Sequence, residues 1–362
     1  MNALPAAALS VDPPAPSSAP LTVAAVDDSA AADWDAFVAS EPTASVYHEY
    51  ALRRLVHSVF GHQTLYFVAR EGAKIVGVLP LVRLKSRLFG DFLVSVPYFN
   101  YGGVLARSPQ VCDELLRHAV QAAQLMGVSH IELRHRAADQ QTWPVRTDKV
   151  SMLLELPPTA EALQKALSSK LRSQIKRPQR EGVTCDFGGE ELLESFYAVF
   201  AENMRDLGTP VYSRRFFAAI LQLLGDRARI ALVRLQGAPV AAALLITNRG
   251  TTEIPWASSL RRVNAIGANM FLYWSALQFA IQQGSAVFDF GRSTLDSGTY
   301  RFKKQWGAQP LQLHWHYWLK GGGELPRLNP SNPKYRLAVA AWQKLPLPVA
   351  NWLGPHLVKN LP

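Results

Sequence analysis

Cysteine is nearly absent from this chain: Cys112 and Cys185 are the only two in 362 residues. Two isolated cysteines make neither a disulfide framework nor a cysteine-rich zinc site. Such a composition is typical of a reducing compartment. We therefore expect a cytoplasmic protein without a metal centre.

The sequence also lacks a secretion signal and a convincing membrane-spanning run. Met1 to Asp28 contains no Lys or Arg, so the positively charged start of a signal peptide is missing. This segment is rich in Ala, Pro and Ser and is predicted to be a disordered leader, residues 1–28. The longest uncharged run, Val263 to Phe288, contains five Asn and Gln side chains, which a spanning helix would bury at a cost.

Several catalytic motifs are missing as well. Neither cysteine lies in a recognisable Cys-His setting, and there is no Gly-x-Ser-x-Gly elbow, so a covalent enzyme intermediate is not expected. Asp289-Phe290-Gly291 also occurs in protein kinases, but no Gly-rich loop, Val-Ala-Ile-Lys or His-Arg-Asp motif accompanies it. No nicotinamide or nucleoside triphosphate motif is present.

Charge is unbalanced: 38 Lys and Arg face 28 Asp and Glu, a net charge of +10. A basic balance favours anionic partners such as phosphates, coenzyme A, RNA or an acidic membrane face. A generally basic, soluble surface would give the same count, so the net charge leaves both interpretations open.

Length and hydrophobic pattern indicate two similar halves. The chain is long enough for two domains, and apolar runs split by Gly turns predict a hairpin at Leu65–Val82 and another at Ile230–Thr247. In each half a strand, a helix and a closing strand follow. The turn glycines Gly72 and Gly237 and the helix-ending glycines Gly127 and Gly284 have similar sequence offsets, which favours a duplicated unit.

Between the halves lies a basic helical segment, Thr159 to Gly182. Its apolar residues recur every four positions, which predicts one helix face ended by Pro178. The span from Lys165 to Arg180 contains six basic residues, including Lys170, Arg172 and Lys176, and no acidic residue. A run of one sign indicates a polyanion site, and a solvated helix face is the alternative.

The richest segment chemically follows the last strand of the second half. Asp289-Phe290-Gly291-Arg292-Ser293 leads to Tyr300 and to Phe302-Lys303-Lys304-Gln305-Trp306-Gly307. Polar groups that gather at the carboxyl end of a strand are typical of ligand sites in open α/β sheets. Arg and Lys there could hold phosphate or a developing negative charge, and Tyr or Asp could relay a proton.

These segments carry a family resemblance. Ser169 to Arg177 resembles the basic helix of FemAB-like proteins of the GNAT superfamily, and Met204 to Pro210 resembles the family's next helix and loop. Trp256-Ala257-Ser258 and Asn264 to Trp274 resemble its following strand and helix. Asp289 to Gly307 is similar to its closing motif. The tail from Asn332 to Pro348 resembles the FemAB proteins associated with exosortase/PEP-CTERM systems.

The resemblance implies an α/β (α+β) fold of tandem duplicated GNAT-like domains, each a mixed, mostly antiparallel sheet flanked by helices. The expected division is a leader at 1–28, domains at 29–155 and 156–320, and a tail with short helices at 321–362. The implied activity is transfer of an acyl or aminoacyl group to an amine during synthesis of cell-envelope or exopolysaccharide material. The acceptor would be a small molecule or a lipid- or nucleotide-linked amine.

Two departures leave the donor undecided between acyl-CoA and aminoacyl-tRNA. The coiled-coil arm of some tRNA-dependent members is not apparent, which puts tRNA as a partner in doubt. A typical GNAT phosphate loop is absent too, which puts acetyl-CoA in doubt.

Candidate roles can be assigned to particular residues. Lys303 or Lys304 would stabilise the oxyanion, Arg292 would hold phosphate or carboxylate, and a proton would pass through Tyr300, Asp289 or Asp296. The remaining substrate-binding candidates are Ser293, Trp256, Asn269, Tyr98, Asn100, Tyr101, Lys170, Arg172 and Lys176.

Two other interpretations remain open. One is a non-catalytic basic scaffold that binds RNA or an anionic glycan. The other is peripheral contact with the inner membrane through the C-terminal segment, in which apolar residues from Leu337 to Val358 are accompanied by Lys334, Arg336, Lys344 and Lys359. The oligomeric state is not predicted.

Overall fold

The first half of the chain forms a mixed sheet covered by helices. The computed structural model describes residues 19–136, 142–326 and 333–361. The elements of this half are β1 (Leu21–Val26), α1 (Ala31–Ser40), α2 (Ala51–Phe60), β2 (Gln63–Glu71), β3 (Lys74–Ser86), β4 (Gly90–Val94), β5 (Leu105–Ala106), α3 (Pro109–Met126), β6 (His130–His135), β7 (Val145–Arg146) and β8 (Lys149–Glu155).

The second half repeats this order and adds a tail. Its elements are α4 (Ala160–Ala166), α5 (Ser169–Arg180), β9 (Val183–Gly188), α6 (Leu193–Leu207), α7 (Arg214–Leu224), β10 (Ala228–Leu235), β11 (Ala238–Asn248), β12 (Thr251–Ser259), α8 (Ala268–Gln282), β13 (Val287–Thr294), α9 (Gly298–Lys304), β14 (Gln309–Gln312), β15 (His314–Leu319), α10 (Pro333–Gln343) and α11 (Leu347–Val358).

The predicted duplication is confirmed. Apart from the two-residue strand β5, the elements from β1 to β6 are a strand, two helices, three strands, a helix and a strand. The same series runs from β9 to β13. Gly72 and Gly237 both lie in the hairpin turns with positive φ, and Gly127 and Gly284 both follow the long helix of their half. The chain therefore forms the duplicated α/β fold, with sheets flanked by helices, that the sequence predicted.

Each sheet is completed by a strand from the other half. The first sheet has the order β1-β2-β3-β4-β6-β15-β7, with β5 on β3, and the second has the order β14-β8-β13-β12-β11-β10-β9. Thus β8 pairs with β13, and β15 pairs with β6. Only β4–β6 and β12–β13 are parallel pairs among the described strands.

The exchange modifies the expected domain plan. Strand β8 lies before the predicted boundary at residue 155 but belongs to the second sheet, and β15 lies inside the predicted second domain but belongs to the first. Strand β1 lies inside the predicted leader, where Leu21 to Val26 pair with β2. Residues 1–18 fall outside the described residues. The domain boundaries themselves stay a prediction.

The basic segment forms two helices and not the single helix that its spacing predicts. Ser168 interrupts the helix because its Oγ accepts a hydrogen bond from Leu171 N at 3.2 Å and caps α5. Pro178 lies inside the last turn and does not end the helix, which continues to Arg180. The four apolar residues are nevertheless all buried, as the periodicity predicts: Leu163, Leu167, Leu171 and Ile175.

A buried ion pair holds the exchanged strand β15 in the first sheet. Arg134 Nε donates to Glu132 Oε1 at 2.7 Å, and Tyr317 OH of β15 donates to Glu132 Oε2 at 2.9 Å. The Arg134 guanidinium also lies over the ring of Trp315, 4.4 Å from its centroid. All four side chains are buried.

This pair generates a stability prediction. Arg134→Met should lower the free energy of unfolding by roughly 3–5 kcal/mol, because it leaves the Glu132 carboxylate buried without its cation. As the control, Arg117→Met breaks the exposed Arg117–Glu114 pair and should cost less than about 1 kcal/mol. Urea denaturation measures both, and equal unfolding midpoints for the two variants would contradict the prediction.

Candidate active site

The site begins where two parallel strands of the second sheet separate. Strands β12 and β13 pair only through Thr251–Glu253 and Val287–Asp289, although both strands continue for several residues. The pairing of β13 with β8 also shifts register between Asp289 and Arg292. Gly291 lies in this shift with φ of 74°, a conformation that suits glycine. The sheet is therefore open beyond Asp289.

Asp289 lies at this branch point and joins three parts of the chain. Its carboxylate accepts hydrogen bonds from Ser151 Oγ at 2.7 Å and from Gly291 N at 2.8 Å. Tyr101 OH, from the loop after β4, also donates to it. The side chain is only 1% exposed. Thus one carboxylate binds the loop after β4 through Tyr101, the exchanged strand β8 through Ser151, and its own strand β13 through Gly291.

A second carboxyl group, which the sequence analysis missed, faces Asp289. Glu253 is the parallel-pair neighbour of Asp289, and it accepts hydrogen bonds from Tyr47 OH at 2.6 Å and from Asn100 Nδ2 at 2.9 Å. Burial, and next the charge of Asp289, raise the pKa of Glu253 to about 8. The one signal in the sequence was an acid inside an otherwise uncharged strand.

Lys303 approaches the same branch point from α9. Its Nζ donates to Gly291 O at 3.0 Å and to Arg292 O at 2.9 Å. Burial lowers the pKa of Lys303 to about 8, although the nearby Asp289 carboxylate acts in the opposite direction. An ammonium group has three hydrogens, so one hydrogen remains for a further acceptor.

A cleft between the halves leads to these groups. A cavity of about 120 Å³ is lined by Glu253, Asp289 and Tyr101 together with Arg136. A larger cavity of about 600 Å³ shares Tyr101 and Arg136 with it and extends to the start of α3 at Pro109. The Arg136 guanidinium stacks on Tyr101, 4.7 Å from the ring centroid. A cation therefore lines both cavities.

Helix α8 begins beside the basic helix α5. Gly267 precedes α8 with φ of 85°, and no side chain caps the first turn. A β-carbon placed at Gly267 would lie 3.6 Å from Pro178 of α5. Lys170 and Lys176 are exposed on α5. An uncapped helix N-terminus with cations nearby favours an anionic group.

Three predicted residues meet at the branch point: Asp289, Tyr101 and Lys303. Asn100 joins them through Glu253. Lys304 does not, because it is exposed and its Nζ lies 5.7 Å from the ring centroid of Tyr300, which is buried on the same helix. Ser293 is buried, and its hydroxyl has no hydrogen-bond partner in the described part of the chain.

Other predicted residues have structural contacts in place of the expected exposure to a ligand. Arg172 Nη1 donates to Leu167 O at 2.9 Å, so it caps the end of α4. Trp256 packs in an aromatic cluster with Phe216, Phe217 and others. Tyr98 OH donates to Lys359 O at 2.6 Å. The spacing of residues does not reveal these contacts with packing partners and helix-end carbonyls, and the binding roles of the three residues stay predictions.

Three predicted residues lie near open surface. Arg292 is exposed and lies over the ring of Trp315, 4.8 Å from its centroid. Asn269 is half-buried in the first turn of α8. Asp296, with φ of 57°, lies in the turn before α9. Within the described ranges, no group of His, Cys, Asp and Glu is arranged to hold a metal ion.

The fold and this site define a protein of two GNAT-like halves, with a cluster of buried polar side chains where the two halves meet. Comparison with known families agrees: residues 165–304 match the acetyltransferase (GNAT) domain. That segment contains Glu253, Asp289 and Lys303, and the match supports an acyltransferase activity. No curated protein matches the chain in sequence.

Solved structures resemble the chain in fold. FemX matches with a TM-score of 0.60 and 14% identity, over 81% of this chain and 96% of that one. L-PGS from Bacillus licheniformis matches with a TM-score of 0.52 and 13% identity, over 82% and 96%. A tandem GNAT protein from the clavulanic acid biosynthesis pathway matches with a TM-score of 0.52 and 13% identity, over 84% and 100%.

The elevated pKa of Glu253 generates a prediction about stability and pH. A carboxyl whose folded pKa lies above its unfolded value favours folding when protonated, and this advantage declines as pH rises to about 8. Buried His48 and His135, with pKa values lowered by burial, act oppositely but only below their ordinary value of 6.5. Lys303, whose pKa is lowered to about 8, also acts oppositely as pH approaches 8. The contribution of Glu253 is therefore the difference in slope between the wild type and a Glu253 variant.

Between pH 6.5 and 8 Glu253 should contribute a decrease of up to about 1.4 kcal/mol per pH unit to the free energy of unfolding of the wild type. Glu253→Gln should remove this slope, whereas Glu324→Gln, at an exposed position, should keep it. Urea denaturation at several pH values measures the slopes. The same slope in Glu253→Gln and wild type would show that Glu253 titrates normally.

Proposed function

We propose that this protein transfers an acyl or aminoacyl group from an activated donor to an amine, at the opening between β12 and β13. The observation that carries this proposal is the convergence of Glu253, Asp289 and Lys303 at the point where the sheet opens. An acyl carbonyl placed there would lie within a polar, buried environment in which hydrogen bonds and charges are strong.

The second half, and not the first, is the proposed place for the donor. In the first half the loop after β4 fills the equivalent opening between β4 and β6: Ser95 N donates to Glu132 O at 2.9 Å, and Gly102 N donates to Arg134 O at 3.0 Å. A β-carbon at Gly102 would lie 2.6 Å from Ser95 O, so the loop is closely packed. The second half has an opening that its own backbone does not fill.

In the proposed mechanism the amine attacks the acyl carbonyl directly. The remaining Lys303 ammonium hydrogen would stabilise the oxyanion that forms as the carbonyl bond opens. Glu253, when ionised, would take the proton that the attacking nitrogen loses, and Asp289 would hold Tyr101 and Ser151 around it. The donor's thiol or ribose hydroxyl then leaves with a proton, which completes the transfer.

A phosphate-bearing donor suits the surroundings. Both candidates, acyl-CoA and aminoacyl-tRNA, carry phosphates that could bind between the uncapped start of α8 and the cations of α5. The family resemblance suggests an amine on a small molecule or on a lipid- or nucleotide-linked precursor of envelope or exopolysaccharide material. We further propose that the enzyme acts in the cytoplasm, where such a precursor could also be reached at the inner face of the membrane.

One observation favours a second candidate function. Four cations of α5, Lys170, Lys176, Arg177 and Arg180, are exposed on one helix, as in a scaffold that binds RNA or an anionic glycan. Such binding would weaken steeply with salt. It would leave the buried Glu253–Asp289–Lys303 group without a role, and we therefore favour transfer.

The direct test is mass spectrometry of transfer from acetyl-CoA, longer acyl-CoAs and charged tRNAs to amino-sugar and muropeptide acceptors. With the productive donor, Lys303→Ala should lower turnover at least about hundredfold, the usual cost of one oxyanion donor. Lys304→Ala, which changes the exposed neighbour, should stay close to the wild type. No transfer from any donor, together with salt-sensitive RNA or glycan binding, would favour the scaffold instead.

The proposed roles also predict a pH profile. Transfer requires Glu253 ionised and Lys303 protonated, and both pKa values lie at about 8, so kcat/KM should pass through a maximum near that pH. Glu253→Gln should lose the acidic limb that the wild type shows with the same amine. An identical acidic limb in both proteins would assign it to the amine and remove Glu253 as the base.

A further inference from the structure

The C-terminal helices present apolar side chains to solvent. Leu337 of α10 is 72% exposed, Trp352 of α11 is 67% exposed and Val349 of α11 is 38% exposed. Leu207, the last residue of α6, is 55% exposed. We call these four residues the C-terminal apolar face. Large exposed apolar side chains that cluster indicate a binding surface.

The opposite side of each helix is already used for packing. On α11 the buried residues Ala350, Gly354 and Val358 recur every four positions, and Val349 and Trp352 lie on the other side of that helix at 3.6 residues per turn. A β-carbon at Gly354 would lie 2.8 Å from Val211 N. The exposed side of α11 is therefore not the side that holds the helix to the protein.

Helix α10 is held against the end of α6 by hydrogen bonds, which place it beside Leu207. Gln343 Nε2 donates to Asp206 O at 3.0 Å, and Arg205 Nη1 donates to Leu345 O at 3.2 Å. These contacts lie at the end of α6, beside Leu207. Since Leu337 is six residues before Gln343, more than one and a half turns away, it lies on a different side of α10.

The charge around the face selects the partner. From Leu325 to Pro362 the sequence contains five Lys and Arg and no Asp or Glu. Arg336 and Lys344 are exposed at either end of α10. Interfacial helices combine a Trp- and Leu-bearing side with basic residues, and such segments are attracted to anionic lipids. Another copy of this chain, with its net charge of +10, would not offer complementary charge.

The geometry allows contact with a membrane surface but not insertion across it. No helix in the described ranges is long and apolar enough to span a bilayer. Helix α11 has 12 residues, about 18 Å at 1.5 Å per residue, which is short of the ~30 Å hydrocarbon core. Trp is favoured at the interface between headgroups and acyl chains.

We propose that the C-terminal apolar face docks this protein on an anionic phospholipid surface, with Trp352 and Leu337 entering the interface and Arg336 and Lys344 meeting the headgroups. The docking does not depend on the proposed transfer reaction.

The test is co-sedimentation of the full chain with vesicles of phosphatidylcholine, alone or mixed with phosphatidylglycerol. We expect binding to the mixed vesicles that decreases with added salt, and little binding to neutral vesicles. Leu337→Ser/Trp352→Ser should weaken binding at least about tenfold, because two apolar side chains no longer enter the interface. The control Leu125→Ser changes a leucine that is 90% exposed on α3 and should bind like the wild type.

Equal sedimentation of the double variant and the wild type would overturn the proposal, as would equal binding to neutral and anionic vesicles. Sedimentation velocity without vesicles provides the second measurement. A concentration-dependent dimer that the double variant loses would assign the face to self-association and overturn membrane docking. Matching thermal unfolding midpoints confirm that the variants are folded.

Discussion

The site depends above all on one buried carboxylate, Asp289. It is the common acceptor for Tyr101, Ser151 and the Gly291 amide, which come from the first-half loop, the exchanged strand and the opening strand. A buried carboxylate without donors would be strongly unfavourable, so these three segments must be in place together. The position of Lys303 follows, because its ammonium group is held by the carbonyls of Gly291 and Arg292.

The two halves have the same plan but use it differently. In the first, Val96 and Tyr98 adopt positive φ angles of 55° and 75° in the loop that fills the opening. Such conformations cost about 1–3 kcal/mol each for residues other than glycine, and close packing against β6 maintains them. In the second, the described backbone makes no such hydrogen bonds between β12 and β13 beyond Asp289, and Glu253 and Lys303 lie around the opening. The first half thus supports the site, and the second half carries the polar groups Glu253, Asp289 and Lys303.

Sequence patterns predicted the duplicated fold and the hairpins, because hydrophobic period and glycine turns are local signals. They also singled out Asp289 and Lys303, which lie at the branch point and whose roles stay predictions. They did not predict the strand exchange, since β8 and β15 look like ordinary strands of their own half. Glu253 was missed because a single acid in a strand becomes notable only when its pairing with Asp289 on the adjacent parallel strand is known. Arg172 was assigned to a ligand because the break between α4 and α5 depends on one serine cap.

The exchanged strands also determine when, during synthesis of the chain, the first sheet can be completed. Strand β6 pairs with β4 on one side but lacks its second neighbour until residues 314–319 have been synthesised, since β15 provides it. During that interval the edge of β6 presents unpaired backbone groups, the kind of edge through which nascent chains associate wrongly. The first sheet therefore cannot be completed until nearly all of the second half has been synthesised.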